Sequence, residues 1–130
     1  MCIRSRQLLL PGPNIAVTLL MKIPNAEAAV IDLDKLRNYC LNPIHPLGKY
    51  KARVFASALD LTIENAGELA AILFQAIVTG EAAPGGSDRF GQRYTIDFEL
   101  KRGGKSAIIR SAWIVEPEKG FPRLITCFVI

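Results

Sequence analysis

The sequence predicts an α+β domain: N-terminal helices packed on a three- to four-stranded antiparallel β-sheet, a meander, in a single domain. Three observations predict it. Apolar residues recur at helical spacing between Leu33 and Ile77. From Tyr94 onward the period falls to two. The stretches "KRGGKS" and "EPEKGFP" punctuate the later runs as turns. Helices first and strands afterwards is the α+β order, not the alternation of a parallel sheet. The 130 residues, 50% hydrophobic and 22% charged, suit one globular core.

Residues 1–20 stand apart. Arg4 and Arg6 followed by leucines hint at a signal peptide, but Pro11, Gly12, Pro13 and Asn14 interrupt the apolar stretch and no A-x-A-like site follows. Met21 opens "MKIPNAEAAVIDLDKL", which reads as a natural start. Residues 1–20 are therefore expected to be an extension, with the domain at 21–130. The alternative is an edge strand from Asn14 to Met21 that adds to the sheet.

The elements then follow in order. "AVIDL" makes a short strand, and "LDKLRNYCL" a short helix with Leu33, Leu36 and Tyr39 or Cys40 on one face. Pro43 and Pro46 break the chain, and proline suits a first helical turn, so a second helix is expected from Pro46 to about Leu59. Thr62 caps a third, with Ile63, Ala66, Leu69, Ala70, Leu73, Phe74 and Ile77 at helical spacing and Gly80 as the stop. "EAAPGGSDRFGQ", residues 81–92, reads as a loop; it matches neither glycine-rich phosphate-binding pattern.

"RYTIDFEL" sets Tyr94, Ile96, Phe98 and Leu100 on one face against Arg93, Thr95, Asp97 and Glu99. A two-residue turn at Gly103 and Gly104 fixes the register. Leu100 then faces Ala107, Phe98 faces Ile109, Ile96 faces Ser111 and Tyr94 faces Trp113. On the other face Asp97 lies opposite Arg110 and Thr95 opposite Ala112. The last strand alternates Leu124, Thr126, Phe128 and Ile130 against Ile125, Cys127 and Val129. Strands this apolar on both faces must be covered twice or meet another subunit, and a homodimer is expected.

Charge excludes little. Lys and Arg total 16 against 12 acids, a net +4, and two of the cations lie in residues 1–20. RNA is permitted as a partner and not demanded. The apolar runs are too short to span a bilayer. Cys2, Cys40 and Cys127 are scattered, so no metal site or cofactor is expected. Cys40 and Cys127 read as small core residues, reduced in a cytoplasm.

The chemistry gathers at "LNPIHPLGKYKARVF", Leu41 to Phe55, which holds the one histidine of the chain. On a helical wheel Leu47, Val54, Phe55 and Ala58 define an apolar face, with Lys51 in its middle and Lys49 and Arg53 opposite. A lysine aimed at a core either snorkels past it or crosses to the sheet's polar face with Thr95, Asp97, Arg110 and Thr126. His45, next to Pro46, is a helix cap or a general acid or base. Arg110 is a salt-bridge partner of Asp97 or a phosphate ligand. Tyr94, Phe98 and Trp113 alternate with core positions, which favours packing over base stacking.

The pattern L-N-P-x-H-P-x-G-x-x-K-A-x-x-F, with "RSAWIV" and "FPRLITCFVI" later, resembles an uncharacterised bacterial family, a domain of unknown function. The resemblance spans Met21 to Ile130 and implies a domain found alone or as the tail of polymorphic toxins. Its element order is similar to barnase, colicin and RelE-type ribonucleases, which need no metal and use 2′-OH attack on the adjacent phosphate. The motif positions carried over are Asn42, His45, Gly48, Lys51, Arg110, Ser111, Arg123 and Thr126. The first expectation is a toxin-type ribonuclease: catalysis by His45, Lys51, Arg110 and Thr126, substrate contacts from Asn42, Ser111 and Arg123. The alternative is a non-catalytic homodimeric module that binds an antitoxin or immunity-type protein. A small-molecule binder is a third.

Overall fold

The computed structural model describes residues 20–130. The expectations for residues 1–19 lie outside them. Of the edge strand expected over Asn14 to Met21, the described end pairs: Met21 and Ala82 exchange backbone hydrogen bonds of 2.9 and 2.7 Å.

The expected strand "AVIDL" shrinks to one parallel bridge between Val30 and Arg123. Asp32 then caps helix α1, Leu33–Lys35, by accepting the Asp34 and Lys35 N–H groups. The chain continues as a π-helical stretch, Leu36–Cys40, closed by a Leu41 N–H to Leu36 carbonyl bond of 2.9 Å. Leu36 and Cys40 are buried there.

Helix α2, Lys49–Leu59, starts three residues after the expected Pro46. It ends at Asp60, in the left-handed region at φ 56°. Its buried residues are Ala52, Phe55 and Leu59, whereas Leu47 and Val54, expected to face the core, are 77% and 42% exposed. The wheel had merged two apolar stripes, one buried and one outward, and Lys51 sits at the boundary between them.

Helix α3, Ala66–Thr79, follows a 3-10 turn, Ile63–Asn65, tied by Asn65 Oδ1 to the Thr62 N–H and hydroxyl. Ala66, Leu69, Leu73, Ala76 and Ile77 are buried, while Phe74 is exposed. Gly80 ends the helix because space demands it: a Cβ there would lie 2.5 Å from the Ala76 carbonyl oxygen.

The sheet is a meander in the order β1-β2-β3-β4. Strand β1, Ala83–Asp88, lies within the segment expected to be a loop. It is an exposed edge strand with a register break between Pro84 and Ser87. Such an edge needs only backbone pairing, and proline, glycine and serine blunt it against further pairing, so a loop-like composition is compatible with a strand. Strands β2, Gly91–Arg102, and β3, Lys105–Val115, pair in the expected register, with Asp97 opposite Arg110 and Tyr94 opposite Trp113. Gly103 and Gly104, at φ 57° and 82°, make the turn.

Strand β4, Pro122–Val129, departs from simple alternation. Ala112 pairs with Thr126 but Trp113 pairs with Leu124, so Ile125 is an extra, bulged residue. The bulge lets Leu124 and Cys127, three residues apart, both enter the core. That core joins Leu36, Phe55, Leu69 and Leu73 to Ile96, Ile109, Trp113 and Cys127. The helices therefore cover one sheet face. Among the described residues no helix covers the other face, which carries Asp97, Arg110 and Phe128.

Candidate functional site

The segment Leu41–Phe55 is first of all a built helix start. Asn42 Oδ1 accepts the Ile44 N–H at 3.0 Å. His45 Nδ1 accepts two backbone N–H groups, Leu47 at 2.9 Å and Gly48 at 3.0 Å, and its carbonyl accepts that of Lys49. One residue thereby satisfies three backbone donors in the turn that leads into α2. The His45 ring stands edge-on to Tyr39, centroids 4.9 Å apart. Gly48 is buried, and a Cβ on it would fall 2.3 Å from the Tyr39 carbonyl oxygen.

Two turns further on, Lys51 reaches β4. Its Nζ lies 4.5 Å from the centre of the Phe128 ring, a cation–π distance. Phe128 pairs across the strands with Arg110, and Arg110 with Asp97. Arg110 grips Asp97 with Nε and Nη2, both at 2.8 Å. That bidentate hydrogen bonding holds the Asp97 carboxyl below its ordinary pKa. Glu81, Ala83, Thr95, Asp97, Arg110 and Phe128 line a groove of about 570 Å³ on this face. One helix lysine, one arginine, two carboxylates and one aromatic ring are thus collected around the same part of the sheet.

The other candidates are placed elsewhere. Ser111 is fully buried; its hydroxyl donates to the Ile96 carbonyl at 3.0 Å and accepts the Trp113 indole N–H at 2.9 Å. Arg123 donates to Glu116 at the β3–β4 turn. The Thr126 hydroxyl is buried and has no hydrogen-bond partner among the described residues. Among the described residues, no hydrogen bond or ion pair joins His45 to Lys51, Arg110 or Thr126.

Cys40 and Cys127 meet in the core as free thiols. The Cys127 thiol, hydrogen-bonded to Cys40 and buried, is pushed well above its ordinary pKa and stays protonated. Among the described residues no cluster of His, Cys, Asp and Glu suits a metal ion, and no single helix is long and apolar enough to cross a membrane.

The sequence places Asp97 opposite Arg110 on the polar face within reach of Lys51, without a catalytic role, and Phe128 only in the alternation of the last strand. The β2–β3 register pointed to the first. Nothing local pointed to the second, because the bulge at Ile125 decides which face Phe128 takes.

A family comparison decides the membership, matching residues 22–130 to a domain of unknown function, DUF6883. The chain belongs to the DUF6883 family. The resemblance seen in the Leu41–Phe55 motif is therefore a true membership. No curated protein matches the chain. Among solved structures, the DUF6883 chain is similar to a chain of the contact-dependent growth inhibition toxin–immunity protein complex from Klebsiella pneumoniae 342. The TM-score is 0.59 at 19% identity, over 78% of this chain and 99% of that one. At that identity the likeness is one of fold.

Proposed function

We propose that this DUF6883 domain is a toxin-type, metal-independent ribonuclease whose site is the sheet face that carries Asp97 and Arg110. The observation that carries the reading is the reach of Lys51 to Phe128, beside Arg110 and Asp97. Two cations near one groove suit a phosphate, and the ring offers a face for a base or ribose. The solved neighbour is described as a toxin–immunity protein complex, which agrees with a toxin-like or immunity-type role.

In this reading an incoming phosphate draws Arg110 away from Asp97. The freed carboxylate takes the 2′-OH proton as the 2′-oxygen attacks phosphorus. The bond to the 5′-oxygen breaks, and that oxygen takes a proton from the Lys51 ammonium. Arg110 holds the developing charge. Asp97 takes the proton-accepting part first assigned to His45, whose Nδ1 is engaged in starting α2. Loss of His45 then acts through the placement of Lys51.

Incubation with single-stranded RNA in the presence of EDTA tests this. Cleavage leaving 2′,3′-cyclic phosphate ends is expected, and Lys51→Met should slow it by about 10²-fold or more with its melting temperature unchanged. Equal activity in wild type and Lys51→Met, or none in either, removes the reading. A second reading, a protein-interaction module, is favoured by the outward apolar stripe of α2.

A further inference from the structure

We infer that the outward face of α2 and its leading turn is a docking surface for an acidic protein. Ile44, Leu47, Tyr50 and Val54 are 81%, 77%, 66% and 42% exposed. Tyr50 and Val54, four apart, share one face of α2, and Ile44 and Leu47 lie in the turn that leads into it. Scattered exposed apolar residues are ordinary, whereas a contiguous stripe of them marks an interaction site.

Charge selects the partner. Helix α2 carries Lys49, Lys51 and Arg53 and no acid. Among the described residues none of the three joins a salt bridge. Lys49 and Arg53 lie 5.2 and 5.8 Å from the Tyr50 ring centre, so cations border the stripe. An apolar ridge edged with carboxylates complements it. RNA would use the cations and the one ring but leave Ile44, Leu47 and Val54 unmatched. A second copy docked by a two-fold axis would set cations against cations. Lys51 turns to Phe128 at the groove on the sheet, whereas the stripe and the two cations that border it, Lys49 and Arg53, are separate from that groove, and the docking does not depend on the ribonuclease reading.

The test is an NMR titration of the full chain with a synthetic amphipathic helix bearing leucines on one face and glutamates on the other. Shifts confined to residues 44–54 are expected, weakening with salt. The double variant Leu47→Glu, Arg53→Glu should bind at least tenfold more weakly, with melting temperature and RNA cleavage unchanged. The proposal is overturned if residues 44–54 do not shift, or if a peptide with lysine in place of glutamate binds as well. It also falls if single-stranded RNA moves the Ile44, Leu47 and Tyr50 resonances as the peptide does, or if a concentration-dependent dimer is lost in Leu47→Glu. RNA cleavage is read on the same samples, so failure of docking and failure of the ribonuclease reading are seen separately.

Discussion

Ser111 shows how a residue that looks chemical can be structural. Its hydroxyl accepts the N–H of the buried Trp113 indole and itself donates to the Ile96 carbonyl. Ser111→Ala leaves that indole N–H unpaired in the core and should cost about 1–3 kcal/mol, read by urea unfolding followed through the fluorescence of Trp113, the single tryptophan. Gly48 follows the same logic. Its hydrogen leaves room for the Tyr39 carbonyl, so Gly48→Ala should destabilise by roughly 1–3 kcal/mol in the same assay. Asn42, His45 and Gly48 are legible in the sequence as a motif because they build one turn. That the turn is their common purpose is not legible, since Tyr39 closes it from the preceding helix.

Helix α2 has two apolar sides, and a wheel cannot tell which one has a partner. Phe55 is fully buried and Leu47 is 77% exposed. Phe55→Ala should therefore cost about 3–5 kcal/mol, and Leu47→Ala should change stability by no more than about 0.5 kcal/mol. Equal effects in denaturant melts would mean that the helix is rotated. In β4 the bulged Ile125 presents its carbonyl to the Lys35 ammonium at 2.9 Å. Deleting Ile125 forces the strand to withdraw either Leu124 or Cys127 from the core, a loss on the order of 2–5 kcal/mol. The β2–β3 register was legible because Gly103 and Gly104 leave one way to turn. The β4 register was not, because "EPEKGFP" permits several and a bulge inverts the faces midway.

Across the whole molecule, acid should act through three carboxylates. The Arg102 guanidinium lowers the Glu68 pKa, the Phe90 N–H that of Asp88, and the Arg110 guanidinium that of Asp97. Each is depressed in the fold, so its stabilisation is complete above the unfolded value near pH 4 and is lost as pH falls through the folded one. Stability measured by urea melts should decline below about pH 4, and Glu68→Gln with Asp97→Asn should flatten that decline. By itself the sequence determined the α+β order, the hairpin and its Asp97–Arg110 pair, and the family. These rest on periodicity, turn chemistry and a contiguous motif, all of which act within a few residues or across one tight turn. Only the tertiary structure decided that β1 is a strand, which side of α2 is buried, and that Lys51 meets Phe128 beside Arg110. Each of those depends on which surface a distant segment covers, and the packing of helices on one sheet face settles it.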